Sequence, residues 1–257
     1  MPIITLTTDF GLKDHYAASV KGALFRLLPS AVVVDITHLI PSFNFGEAAY
    51  VLSHAFREFP EGSIHVVSVG SEGEGRFNHV ALKLHGHYFI GCDNGIFSLL
   101  STEETPEMVV EICAAGKEPS TFVARDLYLP VAVKLAKGVS ITLLGPSQGN
   151  VTQRIRQISP PEEDVLKGIV VNIDSFGNFI TNITGDDFDR VGKGRLFSID
   201  LIRDKIAELH VAYGDVSPGE KVAFFNSSGV LEIAINNGNA SKLLSLRLHS
   251  VVRITFQ

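Results

Sequence analysis

The sequence predicts two domains: an α/β domain with a mostly parallel sheet over residues 1–150, and an all-β barrel domain over 166–257, joined by a linker at 151–165. Three observations carry this. Short apolar runs alternate with longer amphipathic segments in the first half, the rhythm of a parallel sheet covered by helices. The texture changes after Gly145-Pro146. Beyond Pro160-Pro161-Glu162-Glu163 the segments are short and β-like, with turn residues between them at the spacing of a small barrel or sandwich.

Taken in order, Ile3 to Thr7 reads as a strand and Ala17 to Leu28 as a helix that ends before Pro29. Val32-Val33-Val34-Asp35-Ile36 is β-branched enough to be a central strand. Phe45 to Phe56 is helical, and Ile64 to Val69 is a strand. His79 to Leu84 and His87 to Ile90 form a hairpin-like pair joined by His85-Gly86. Leu127 to Leu135 reads as a helix and Ser140 to Leu143 as a strand. In the second domain the strands are Gly168 to Ile173, Phe179 to Ile183, Arg195 to Ile199, Lys221 to Asn226, Leu231 to Ile235 and Val251 to Phe256.

Composition narrows the function classes. With 45% hydrophobic residues in 257 the chain can bury a substantial core. A net charge of -6, with Lys and Arg scattered rather than striped, argues against a nucleic-acid partner. No run of 18 apolar residues predicts a membrane span, and the chain opens directly on a strand with no leader pattern, so a cytoplasmic location is expected. Cys92 and Cys113 are the only cysteines and lack companions at metal-ligand spacing, so they are expected as buried free thiols, with no metal site.

Thr7-Thr8-Asp9-Phe10-Gly11, with Asp14 behind it, lies where a short strand gives way to a helix. Ligands of open α/β sheets gather at such carboxyl ends. Two acids on that loop suit a hydroxylated or cationic small molecule and are poorly suited to a phosphate. The spacing equally allows Asp9 to cap the helix and Asp14 to be solvated. A second cluster, Asp174-Ser175-Phe176-Gly177-Asn178, reads either as a ligand loop or as a hairpin turn. A third, Asn226-Ser227-Ser228-Gly229 with Asn236-Asn237-Gly238-Asn239, offers neutral donors and acceptors for a polar heterocycle, although turns use the same residues.

Together these stretches resemble the S-adenosyl-L-methionine (SAM) hydroxide adenosyltransferases, the adenosine-forming SAM hydrolases whose relatives include fluorinase and chlorinase. The matching residues are Thr7 to Gly11 with Asp14 and Lys21-Gly22, Val34 to His38, Gly91-Cys92-Asp93-Asn94-Gly95, Thr121-Phe122 with Arg125-Asp126, Asp174 to Asn178, and Ser227-Ser228-Gly229. The resemblance spans essentially the whole chain. It implies an α/β domain followed by a β-barrel, a homotrimer with SAM sites shared between neighbouring subunits, and SAM as substrate with no separate cofactor.

By the same resemblance Asp9 holds the ribose hydroxyls, and Asp14, Asp174 and Ser227, with Ser228 beside it, meet the methionine ammonium or its surroundings. Phe43, Phe122 and Phe176 supply apolar walls, Tyr213 stacks on the adenine, and the Asn178 amide reads its edge. The departures concern water. Family members that hydrolyse SAM carry an Asp where this chain has Ser68, an Arg near Arg76 and a His where it has Val123. Valine can neither accept a proton nor orient water, and losing positioned acid–base groups costs roughly 10²- to 10⁴-fold in rate. Three readings follow: a SAM hydrolase with its water site rebuilt around Ser68, Ser71 and Arg76; a SAM or adenosine binder without turnover; or a displacement enzyme using halide or another nucleophile. For the halide reading only the small residues Ser68, Ser71 and Ala124 agree, while Glu72 and Glu74 would repel an anion. Glu72, Glu74, His79, His85 and His87 are candidate replacement bases by proximity in sequence alone.

Overall fold

Alternation of apolar residues at period two builds strands with one face for each of two helical layers, and the first unit, Met1–Ile155, is arranged this way. The structure, a computed structural model, describes residues 1–71, 77–100, 105–112, 120–154, 164–202 and 204–257. In chain order the first unit contains β1 (Ile3–Thr8), α1 (Tyr16–Leu27), β2 (Val32–Thr37), α2 (Phe45–Ala55), β3 (Ile64–Ser68), β4 (His79–Leu84), β5 (His87–Cys92), α3 (Ile96–Leu100), β6 (Met108–Glu111) and α4 (Leu129–Ala136). A π-helical turn over Ala124–Tyr128 leads into α4.

The six strands lie in the order β2-β1-β3-β5-β4-β6. Ile4, Leu6, Val66 and Ile90 face α1 and α4, where Val20, Leu24, Leu129 and Ala132 complete one core. Val67, Val69, Leu82 and Phe89 face α2 and α3, where Ala48, Leu52, Ile96 and Phe97 complete the other. The α2 terminus follows from its cap: Asn44 accepts from the Glu47 amide at 3.2 Å and donates to its carboxylate at 2.8 Å.

Three expectations are corrected in this unit. The sheet is mixed: β2-β1, β1-β3 and β3-β5 are parallel, but the β4-β5 hairpin and the β4-β6 pair are antiparallel. A two-residue turn at His85-Gly86 cannot return the chain in the parallel sense, which needs a crossover. Strand β2 is at the edge rather than the centre, and its residues are only half-buried or exposed. Ser140 to Leu143 is a single 3-10 turn at Ile141–Leu143, in which only Ile141 is buried, instead of a strand. The first residues of the expected linker pack on this unit: Val151 is buried with the α2-side core, and Thr152 donates from its amide and its hydroxyl to Asp93 at 2.8 and 3.1 Å. Residues 155–163, the rest of that linker apart from 164 and 165, lie outside the described residues, as does Cys113; Cys92 is buried.

The second unit, Arg156–Gln257, contains β7 (Val165–Ile173), β8 (Phe179–Thr184), α5 (Gly185–Gly192), β9 (Phe197–Leu201), β10 (Asp204–Ile206), β11 (Lys221–Phe225), β12 (Val230–Ile235), α6 (Ala240–Leu243) and β13 (Val251–Phe256). Its seven strands, in the order β10-β9-β13-β7-β8-β12-β11, pair antiparallel throughout. The sheet curls into a nearly closed barrel around Leu166, Val170, Phe179, Ile199, Leu231, Ile233 and Ile254. Its two edge strands are tied by Lys221 Nζ on Asp204 Oδ1 at 2.7 Å. All-β is thus too narrow: α5 interrupts the strands, capped by Thr184, which accepts from the Asp187 amide at 3.1 Å. Among the described residues no helix is long and apolar enough to cross a membrane.

Candidate active site

In the first unit the carboxyl ends of β1, β2, β3 and β5 converge on a polar cluster, the position where open α/β sheets take ligands. Asp9 leaves β1 here. Its amide donates to the Ser68 carbonyl at 3.3 Å, and its Oδ2 accepts from the Gly70 amide at 3.0 Å. Burial raises the Asp9 carboxyl above its ordinary range, opposed by the amides of Gly70, Asp9 itself and Phe43. Gly70 has φ +60, and a Cβ there would lie 2.9 Å from the Phe45 ring and 3.1 Å from the Phe43 ring. Only glycine delivers its amide to Asp9 in that setting. Phe43, itself at φ +64, is 69% exposed.

Ser68 is 1% exposed and Ser71 is also buried; among the described residues neither hydroxyl has a hydrogen-bond partner, and the buried Thr7 hydroxyl has none either. Buried hydroxyls are ordinarily bonded. Three such groups at the ends of β1 and β3 form a lining that can both donate to and accept from a small polar species. Asn94, after β5, secures the same loop by donating to the Val69 carbonyl at 2.8 Å.

A buried relay supports the Asp9 loop from behind. His38 Nδ1 is 2.8 Å from Thr8 Oγ1, its carbonyl accepts from the Gly11 amide at 2.7 Å, and its Nε2 stands 3.1 Å from Asp35 Oδ1. Asp35 Oδ2 accepts from Lys21 at 2.8 Å. Burial works to raise the Asp35 carboxyl, but Lys21 and His38 outweigh it and hold the group below the usual range.

Other predicted residues sit apart from this cluster or deeper. Asp14 is exposed before α1. Phe122 is buried, edge-on to Phe10 and Tyr16 at 5.7 and 5.4 Å, with the Arg125 guanidinium 5.0 Å over its ring. Val123 is buried beside it in the α1–α4 core. Arg76, Glu72 and Glu74 lie outside the described residues. His79 is 2.8 Å from the Tyr128 hydroxyl, and burial lowers its pKa. His87 pairs with buried His65 at 3.2 Å, and His85 forms the hairpin turn. Among the described residues no group of three or more His, Cys, Asp or Glu is placed to hold a metal.

The second unit gathers its predicted residues into one network. Asp174 Oδ1 accepts from the amides of Phe176 and Asn178 at 3.0 and 2.8 Å, and Oδ2 accepts from the Asn178 side chain at 3.0 Å. Gly177, at φ +89, lies against Asn239. The Asn178 amide also reaches the Tyr213 hydroxyl at 3.4 Å, which donates to Glu232 at 2.5 Å. Glu232 in turn accepts from Asn226 at 3.1 Å, and Asn226 accepts from the Ser228 amide at 2.9 Å. Ser227 and Ser228 are exposed at the turn, and Phe176 is 77% exposed.

Thr7 and His38 stand in motifs read from the sequence but were given no role of their own there, and Glu232 was not singled out at all. A lone acid in the apolar run Leu231 to Ile235 is a readable signal for Glu232; the long-range partners of Thr8 and His38 leave none.

Comparison with known proteins bears on this geometry. The model of the SAM hydroxide adenosyltransferase N-terminal domain matches residues 4–145, and that of the C-terminal domain matches 168–253. A protein of Thermus thermophilus named (R)-S-adenosyl-L-methionine hydrolase is 31% identical over 96% of this chain and 97% of its own length. One of the same name from Salinispora tropica is 30% identical over 99% and 98%. A fluorinase of Actinoplanes sp. is 25% identical over 99% and 97%. A crystal structure of a conserved protein from Thermotoga maritima superposes with a TM-score of 0.87 at 32% identity, covering 98% of this chain and 99% of that one.

Proposed function

The chain belongs to the SAM hydroxide adenosyltransferase family, and from that premise we propose that it cleaves SAM to adenosine and methionine. In this reading water attacks the ribose 5' carbon, the carbon–sulfur bond breaks, methionine leaves as a neutral thioether, and the proton of the attacking water is released. A sulfonium is already a good leaving group, so the protein's task is to align water, carbon and sulfur and to strip bulk solvent from the nucleophile.

The observation that carries the reading is the set of buried hydroxyls of Thr7, Ser68 and Ser71 beside Asp9. Serine hydroxyls can hold a water without the Asp and His that Ser68 and Val123 replace, and Arg76 belongs to the same proposed water site. Asp9 is assigned to the ribose hydroxyls: its Gly70 bond fixes one oxygen and leaves acceptor capacity for a diol. Asp14, Asp174, Ser227 and Ser228 are assigned to the methionine end, Tyr213 and Asn178 to the adenine, and Phe43, Phe122 and Phe176 to apolar walls. The protein is taken to act in the cytoplasm as a homotrimer, as the family resemblance implies.

The alternative of a binder without turnover draws little support, because relatives named as hydrolases align with this chain from end to end. Incubating the purified protein with SAM, with and without chloride or fluoride, and separating the products tests both readings. Adenosine and methionine are expected in equal amounts whatever the salt. Bound SAM with no product would restore the alternative, and a 5'-halogenated nucleoside would replace water with halide.

A further inference from the structure

The proposed chemistry makes no use of Asp93-Asn94-Gly95, the turn that follows β5. Residues of connecting turns ordinarily lie at the surface, but Asn94 is 1% exposed. Its side chain is fixed in direction. A backbone amide can only donate, so the bond from the Ile96 amide at 3.3 Å identifies Oδ1, and the NH₂ is the group that meets the Val69 carbonyl at 2.8 Å. The turn itself is held from its other side. Asp93 accepts from Thr152 and Gln148, and Arg154 Nε donates to the Asn94 carbonyl at 2.7 Å.

The Val69 carbonyl and the Gly70 N–H belong to one peptide unit, which is planar and trans, so the two groups point in opposite directions. Both ends of that unit are bonded: the carbonyl to Asn94, and the N–H to Asp9 Oδ2 at 3.0 Å. Strand β3 lies between β1 and β5, so the unit is gripped from the end of one neighbour by Asp9 and from the end of the other by Asn94. Reversed, it would set a carbonyl against the Asp9 carboxylate and an N–H against the Asn94 NH₂. Gly70, without a Cβ and at φ +60, is the residue type that lets a peptide turn over at little steric cost. Its direction therefore has to be set by a partner, and Asn94 is placed to set it.

We propose that Asn94 is a positioning residue for the reaction: it locks the Val69–Gly70 peptide in the direction that donates to Asp9, and so fixes the acceptor assigned to the ribose and the backbone between Ser68 and Ser71. Asn94 touches no substrate in this arrangement and acts through one peptide unit. Its bearing on turnover rests on the SAM cleavage proposed above; the lock itself does not.

The test joins amide hydrogen exchange at Gly70 to the pH profile of kcat/KM for SAM, both on the full chain. Asn94→Ala deletes the donor and adds no charge. Exchange at Gly70 should quicken roughly tenfold, the worth of one hydrogen bond, while the amides within β1 and β3 keep their protection. At neutral pH kcat/KM should fall roughly tenfold. Its acid limb should also move to higher pH, because the Gly70 amide opposes the effect of burial on the Asp9 carboxyl and that support is lost. A merely structural role would lower the rate alike at every pH and leave the limb where it was. Asn94→Leu, of similar volume and equally without a donor, should move both readouts the same way where Asn94→Ala fails to fold. Unchanged exchange at Gly70 in a folded variant overturns the lock, as does exchange quickened alike throughout the first unit. An unmoved limb overturns its part in the reaction. No turnover by the unmodified protein overturns SAM cleavage and that part with it, and the exchange measurement still decides the lock.

Discussion

The polar clusters of the two units are built in opposite ways. In the second, Asp174, Asn178, Tyr213, Glu232 and Asn226 satisfy one another in a continuous run, so their directions are fixed before any ligand arrives. In the first, Asp9 has one oxygen tied to Gly70, and the hydroxyls of Thr7, Ser68 and Ser71 have no partner among the described residues. A pre-bonded network suits recognition of a fixed outline. Uncommitted hydroxyls suit a small species that must be held and then consumed. Under the proposed SAM cleavage, recognition would be the work of the second unit's cluster and the reaction that of the first's.

The sharpest way to break the contrast is Asp9→Ala. Removing a charged acceptor should lower kcat/KM for SAM by more than about a hundredfold, near the ~3 kcal/mol upper end for hydrogen bonds to charged groups. Initial rates set beside urea unfolding would check it. A stability loss as large as the activity loss would make Asp9 a structural group.

The next effect separates the units by pH. His65 is fully buried, bonded to Thr5 at 2.8 Å and close to His87, and burial followed by the His87 charge lowers its pKa from 6.5 to about 3. As pH falls below about 6.5 the unfolded chain takes up the proton and the folded chain does not. Stability contributed by the neutral ring is therefore full above that pH and declines toward about 3, by at most ~1.4 kcal/mol per pH unit. From pH 7 to 5 the first unit should lose about 2 kcal/mol. The second unit has no buried histidine among its described residues and serves as the reference. Denaturant midpoints at both pH values, repeated in His65→Gln, would show the slope flatten; an unaltered slope would place the titration elsewhere.

Smaller still is Glu232→Ala, which strands the Tyr213 hydroxyl and the Asn226 amide. Both residues keep some access to solvent, so the cost in the second unit should be about 1 kcal/mol, at the low end for unsatisfied groups. Equilibrium unfolding would measure it, and a loss above about 3 kcal/mol would mean the network holds the barrel together rather than its loops. Smallest is Phe176→Ala. With the ring mostly exposed, unfolding should shift by less than about 0.5 kcal/mol while KM for SAM rises. No change in KM would remove Phe176 from the apolar wall.

What the sequence showed and what it hid divide along physical lines. The strands and helices from β1 to β5 were legible because each carries a full period of its pattern. The short pieces β6, α3 and β10 offer too few residues for a period to register, and α5 begins with Gly185-Asp186-Asp187, which reads as a turn until Phe188 and Val191 are seen to bury one face. Strand β2 misled because β-branched residues report propensity and not the number of neighbours. Among site residues, those in local loops were visible as motifs. Glu232 was not, since its meaning comes from Tyr213, a partner distant in sequence; His38 stood in the Val34 to His38 motif, but its contact with Thr8 could not be read there.

Gly70 has a consequence for how such a pocket can diverge. On the proposed reading, Ser68, Ser71 and Val123 stand at positions where the residue type would alter the chemistry but need not alter the path of the chain, so nucleophiles could be exchanged by replacing side chains there. Gly70 permits no such exchange, because any side chain would collide with the rings of Phe43 and Phe45 and pull the amide from Asp9. It is the fixed point of the pocket, and a search for variants with new nucleophiles should randomise around it and leave it alone.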